Sequence, residues 1–270
     1  MLIFLTPIFG CTSGQNTKFN EPSPEHLKNY SYPVFVFHSV NQVANGTGFL
    51  YKSGNKSYLI TNYHIRGMNP FEQKIFFNAD AIYLKYSNAK SLQFETKRIE
   101  IVKTDKIRIF TIDQDLDLFG IELPVLPNAS LYFINDFIDK KYFYKKPDSI
   151  IVFGYPVDQS KKDSFNSKIN TFKGDYRDDF NDLEPALKNK YPTEIQYIKK
   201  VLPIFRKTYF LSHPMADHGY SGSPVFGKFN IGNKVEYKFM GVVFGWEGLL
   251  QKTWAVQPRA FLDWANSKLH

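Results

Sequence analysis

The feature that most constrains this chain is its rhythm: from residue 34 onward, short runs rich in aromatic and β-branched side chains alternate with polar or turn-forming stretches. Such residues are stiff at χ1 and pack well on a pleated surface, so runs of this length read as strands. They fall into two groups. The first covers residues 34–37, 47–51, 58–61, 74–77, 81–86, 98–102, 108–112 and 116–123, and the second covers 149–153, 208–211, 224–226, 236–244 and 253–256. Residues 258–269 then change period, placing Phe261, Leu262 and Ala265 on one face of a closing helix. The expected fold class is all-β, with two antiparallel β-barrels followed by a C-terminal helix. Between residues 158 and 207 the strand pattern lapses, first into polar sequence and then into a helical spacing of Ile195, Ile198 and Leu202 after Pro192. A partly helical insertion in the second barrel is expected there, with residues 174–182 as its candidate lid. The resulting division is a leader and polar tether (1–31), a first barrel (32–125), a linker (126–148), a second barrel (149–257) and the closing helix (258–270). A single cysteine excludes any internal disulfide, so a core must hold the fold; 43% hydrophobic and 17% aromatic content over 270 residues suffices.

Two stretches carry chemistry. Leu59-Ile60-Thr61-Asn62-Tyr63-His64 ends in an imidazole, and Gly219-Tyr220-Ser221-Gly222-Ser223-Pro224 sets a serine between glycines. A serine hydroxyl is a weak nucleophile until an imidazole takes its proton and a carboxylate holds that imidazole in the right tautomer. Carboxylates stand between the two stretches, at Asp113, Asp115 and Asp117. Alone, a histidine after an apolar run is an ordinary core or surface residue, and Gly-Tyr-Ser-Gly is an ordinary turn. Together, in the order His, Asp, Ser and separated by 53 and 104 residues when Asp117 is counted, they form one candidate constellation. The α/β-hydrolase order is Ser, Asp, His and the subtilisin order Asp, His, Ser, so neither fits. The Asp-x-Asp-x-Asp run also suggests a calcium loop, but its sixth and twelfth positions are Leu118 and Pro124 rather than Gly and Glu, and no metal is expected.

These residues resemble the chymotrypsin-like (trypsin-fold) serine peptidases, most closely the disulfide-free bacterial branch of glutamyl endopeptidases and HtrA-like proteases, over about residues 32–268. Gly46-Thr47-Gly48-Phe49 resembles the small-residue turn and strand ahead of the histidine, Thr61 to His64 the histidine motif, and Gly219 to Pro224 the family's G-x-S-G-S-P. The resemblance implies an endopeptidase acting on protein or peptide without a cofactor. Ser221 would attack the scissile carbonyl, His64 would serve as base and then acid, and the backbone amides of Gly219 and Ser221 would form the oxyanion hole. The family's aspartate precedes an apolar, a small and further apolar residues, a pattern that Asp117 meets with Leu118, Phe119, Gly120 and Ile121. Asp115 would instead bury Asp117 unpaired. Asp117 is therefore preferred, and Asp115 stays the runner-up because Phe119 is larger than the family's residue. By the same resemblance Met215 lies at the base of the primary pocket and Val243, Phe244 and Gly245 on its wall, which favours a small or medium aliphatic residue before the cut. Tyr220 stands where many members carry an aspartate that pairs with a newly cut N-terminus, so activation by that route is not expected. Neither is a PDZ module after the closing helix. Two other readings stay open: a catalytically silent barrel that binds a peptide or partner, and a serine esterase.

At the start of the chain, ten almost wholly apolar residues lead to Ile8-Phe9-Gly10-Cys11, which resembles a bacterial lipoprotein box with Cys11 as the lipidated residue. Export to the periplasm or cell envelope, with a possible lipid anchor, is the expectation. The segment lacks a basic start, and a chance match would leave the chain in the cytoplasm. The formal charge is +8, with lysines gathered at Lys140, Lys141, Lys145 and Lys146. Basic residues alternate with acids and no nucleic-acid motif occurs, so the lysines read as a solvated face or one that suits an anionic membrane, and no nucleic-acid partner is expected. Oligomeric state is left open by the sequence.

Overall fold

The structure is a computed structural model that describes residues 23–39, 42–66, 68–69, 74–75, 80–101, 110–113, 116–156, 170–176, 207–212, 219–247 and 252–269. Its first half contributes β1 (Tyr32–Ser39), β2 (Gln42–Ser53), β3 (Lys56–Asn62), the short pair β4 (Met68–Asn69) and β5 (Lys74–Ile75), then β6 (Ala81–Ser87), β7 (Phe94–Glu100), β8 (Phe110–Asp113) and β9 (Leu118–Glu122). Apart from β4 and β5, these form one seven-stranded sheet in the order β7-β6-β1-β2-β3-β9-β8. The second half contributes β10 (Ser149–Gly154), β11 (Asn170–Tyr176), β12 (Thr208–Ser212), β13 (Pro224–Ile231), β14 (Lys234–Glu247) and β15 (Lys252–Val256). Those six close into a barrel, β10-β11-β12-β15-β14-β13. The fold is all-β with antiparallel pairing in both halves. Among the described residues the first ladder is an open sheet and only the second closes.

Two tight hairpins set the register. Ser53 faces Lys56 across Gly54-Asn55, and Ile231 faces Lys234 across Gly232-Asn233, with each glycine at a positive φ of 55° and 59°. That conformation suits a residue without Cβ, and it fixes which side chains face inward. Because successive strand residues point to opposite faces, Phe49 and Leu50 serve different clusters. Leu50 joins Val34, Leu59, Ile82 and Phe119 inside the first sheet. Phe49 joins the cluster that ties the halves together, with its ring 5.8 Å from Phe239 of β14 and 5.5 Å from Phe261 of the closing helix Pro258–Lys268. A third cluster, including Ile150, Val152, Tyr209, Leu211 and Met240, fills the second barrel.

Three features differ from the sequence expectation. Residues 24–30 are packed rather than part of a tether: Leu27 is fully buried, and Tyr30 lies edge-on to Phe137 at 4.7 Å. Two apolar residues three apart in a polar stretch give a weak periodic signal, yet they suffice to dock one turn of helix. Within the expected insertion, Asn170–Tyr176 is a barrel strand that pairs with both β10 and β12. Its Asn, Gly and Asp disfavour strands, and pairing on both edges overrides that propensity. Gly174 to Tyr176 of the proposed lid therefore belong to β11, while the rest of that loop and the helical stretch around residues 192–202 lie outside the described residues. Finally, β9 starts at Leu118, and Leu116 and Asp117 form a turn ahead of it.

Candidate active site

Strand β3 delivers the histidine and β9 the carboxylate. The two strands pair with Asn62 opposite Leu118, so the short helical turn Tyr63–Arg66 sits against the turn that carries Asp117. Asp117 adopts φ 52°, a left-handed conformation that is uncommon for a residue with a Cβ. Four hydrogen bonds hold it there. The backbone amide of His64 donates to Oδ1 at 2.8 Å and His64 Nδ1 to Oδ2 at 2.5 Å, while the Tyr63 amide and Asn62 Nδ2 donate to its carbonyl at 2.9 and 3.0 Å. Both carboxylate oxygens are thus engaged by one residue. Asp117 has no exposed side-chain surface, whereas 32% of the His64 side chain is exposed. Burial pulls the imidazole down, but the Asp117 charge and hydrogen bond outweigh it and hold His64 above its ordinary value of 6.5. Burial pushes the Asp117 carboxyl up, against the pull of His64 and the neighbouring amides. With Nδ1 committed to the carboxylate, Nε2 is the nitrogen left for proton transfer.

Ser221 lies on the loop that enters β13. Of residues 219–223 it alone keeps intermediate exposure, as His64 alone does among residues 61–65. The backbone around it is pinned at every peptide. Thr47 Oγ1 donates to the Gly219 carbonyl at 2.7 Å, the Ser223 amide to the Tyr220 carbonyl at 2.9 Å, and the Thr47 amide to the Ser221 carbonyl at 2.9 Å. The Gly222 amide donates to Val243, and Val243 in turn to Ser223. Gly219 and Gly222 have φ of 97° and 85°, and a Cβ at either would overlap backbone, Tyr155 O at 2.2 Å and Thr47 O at 2.1 Å respectively. The glycines of Gly-Tyr-Ser-Gly are therefore required by close approach as well as by turn geometry. Tyr220 is buried in the second barrel's cluster, beneath Gly154.

Val243 and Phe244 are both buried: Val243 packs in the second barrel's cluster, and Phe244 stacks on Trp254 at 5.5 Å. Gly245 is the member of the trio beside which a Cβ would meet no atom of the described residues within 4 Å. Met215, Cys11 and Asp115 lie outside the described residues. The lysines at 140, 141, 145 and 146 follow Asp139 on the linker; Lys141 pairs with Asp139 at 3.2 Å, and Lys141, Lys145 and Lys238 surround the Tyr142 ring. Among the described residues no group of three or more His, Cys, Asp or Glu side chains could hold a metal ion. No described helix is long and apolar enough to cross a membrane. In the sequence Thr47 appears only as part of Gly46-Thr47-Gly48-Phe49, with no role of its own. The signal available was its position between Gly46 and Gly48, where small neighbours mark close approach of another backbone.

No family model and no curated protein matches the chain. Solved structures do. The scabies mite inactivated protease paralogue S-I1 is similar over 93% of this chain and 99% of its own, at 12% identity and a TM-score of 0.55. The protease Anisep from Arthrobacter nicotinovorans is similar over 88% of this chain and 94% of its own, at 14% identity and a TM-score of 0.49. The first likeness shows that the chain has the chymotrypsin-like fold. It is a likeness of fold alone.

Proposed function

We propose that this chain is a serine endopeptidase. The observation that carries the reading is the His64 Nδ1 to Asp117 Oδ2 contact of 2.5 Å on one half of the fold, together with a loop on the other half that is hydrogen-bonded to Thr47 of the first and in which Ser221 alone of residues 219–223 keeps intermediate exposure. In the reaction, the Ser221 Oγ proton passes to His64 Nε2 as Oγ bonds the scissile carbonyl carbon. The protonated imidazole, stabilised by Asp117, then gives that proton to the departing amine as the C–N bond breaks. Water repeats the sequence on the acyl-enzyme. The amides of Gly219 and Ser221 serve as donors to the carbonyl oxygen as it becomes an oxyanion. Support for the Ser221 amide comes from its own peptide: the Tyr220 carbonyl is turned inward to Ser223, so in a planar trans unit the N–H of Ser221 points the other way.

The uncharged character of Val243, Phe244 and Gly245 supports cleavage after an aliphatic residue, with Met215 at the pocket base, since an unpaired charge there would be costly. That no described atom would lie within 4 Å of a Cβ at Gly245 supports entry of a side chain at that point. Export and lipid attachment at Cys11 belong to the same reading and are supported by the apolar leader alone. A silent binding module is the second reading, favoured by a structural neighbour that is itself an inactivated protease paralogue. A fluorophosphonate probe and a peptide-library profile, each run beside Ser221→Ala, separate the two. Labelling and cleavage that vanish in the variant are expected. Absence of both in the parent protein overturns the peptidase.

A further inference from the structure

Thr47 belongs to β2, on the half that carries His64, yet it hydrogen-bonds the backbone of the Ser221 loop through both its hydroxyl and its amide. Its hydroxyl accepts from the Tyr155 amide at 3.0 Å and donates to the Gly219 carbonyl at 2.7 Å. Its amide donates to the Ser221 carbonyl at 2.9 Å, and its carbonyl accepts from Thr61 Oγ1 at 2.7 Å. Thr47 is fully buried, so none of these bonds competes with water. Two carbonyls that flank the nucleophile are thus held by one residue from the opposite half. Thr61 sits three residues before His64, which makes Thr47 a physical link between the base-bearing strand and the nucleophile loop.

From this geometry we propose that Thr47 is a positioning residue of the oxyanion site: its hydroxyl fixes the Gly219–Tyr220 peptide, and through it the direction of the donors on either side. The inference rests on the peptidase reading above. Gly219 has φ 97°, a backbone state from which a neighbouring peptide can rotate at little steric cost, because glycine populates both signs of φ. A carbonyl held at 2.7 Å removes that freedom. The Tyr155 amide orients the Thr47 hydroxyl in turn, by occupying its lone pair and leaving its proton for Gly219. The loop is therefore set before substrate arrives, and no newly cut N-terminus is needed to set it.

The test compares Thr47→Val, which keeps shape and removes the hydroxyl, with Thr47→Ser, which restores it. In Thr47→Val the expected result is a fall in kcat of about a hundredfold, the loss that a misplacement of about 1 Å brings, with KM nearly unchanged. Thr47→Ser is expected to recover most of that rate. A structural role alone would not alter how the site treats the reacting oxygen, so each variant is also assayed on an oxygen ester and on the matching thionoester. Sulfur is longer and a weaker acceptor, so a set oxyanion site favours the oxygen ester. That preference is expected to shrink in Thr47→Val and return in Thr47→Ser. A parent protein that neither labels with fluorophosphonate nor hydrolyses either ester overturns the peptidase reading and this one with it. A parent that labels, beside a Thr47→Val that keeps its kcat and its ester preference, overturns the positioning role alone. So does a Thr47→Val that melts lower yet keeps the preference.

Discussion

Gly222→Ala is the sharpest single perturbation of the joint between the two halves. The glycine has φ 85°, and a Cβ built on it lies 2.1 Å from the Thr47 carbonyl oxygen and 2.5 Å from Thr61 Oγ1. An ordinary C···O contact is about 3.3 Å or more, so loop and strand must part by about 1 Å. Three hydrogen bonds cross or adjoin that gap: Thr47 N to Ser221 O, Thr61 Oγ1 to Thr47 O, and Gly222 N to Val243 O. At about 1 kcal/mol each, their loss adds about 3 kcal/mol to about 1 kcal/mol for an alanine held at positive φ, some 4 kcal/mol in all. For a chain of this size that lowers Tm by roughly 8–16 °C. Gly232→Ala is the control. It has φ 59° at the tip of the β13–β14 hairpin, with no atom of the described residues within 4 Å of a Cβ, so only the conformational cost applies and the expected drop is roughly 2–4 °C. Thermal unfolding followed by circular dichroism, with ester hydrolysis measured at a temperature where both variants are folded, checks the reasoning. Equal melting shifts for the two variants, with hydrolysis intact in Gly222→Ala, would refute it.

Three further outcomes are expected. Asp117→Asn should lower kcat by about 10⁴ while leaving the unfolding transition close to that of the parent protein, because the amide favours the wrong tautomer of His64; stopped-flow or steady-state hydrolysis measures this. The base must be neutral, and Asp117 holds His64 above its ordinary 6.5, so the rate should rise with pH to half its maximum above that value. A rate that is highest in acid and declines through neutrality contradicts a neutral His64. Trimming the N-terminus to a defined α-amino group should create no activity, and acetylating that group should remove none, since Tyr220 is packed in the barrel core and offers no carboxylate to a cationic terminus. A switch in either direction in a cleavage assay runs against that.

Much of the architecture was legible because the runs that became β1, β2, β3, β6, β10, β14 and β15 are dense in residues that favour strands, and side-chain alternation is a local property. β11 was not, because its place in the barrel comes from pairing with β10 and β12 and not from its own residues. At the candidate site, residue types and spacing pointed to His64, Asp117 and Ser221. The left-handed backbone of Asp117 carries only a weak sequence mark, since aspartate tolerates that conformation but far less often adopts it than glycine does. Thr47 was hidden for a different reason: a buried threonine in a strand is an ordinary residue until the loop it holds, 172 positions away, is placed beside it.

The Thr47 bridge also bears on when hydrolysis can begin. Along the chain, the sheet bearing His64 and Asp117 is made before the serine, and the helix whose Phe261 packs against Phe49 at the junction is made after it. Since Gly219 and Ser221 take their orientation from a strand of the earlier half, a nascent chain possesses the reactive groups before it possesses their arrangement. On the proposed peptidase reading, hydrolytic competence would arrive with the docking of the two halves rather than with the synthesis of any one reactive group.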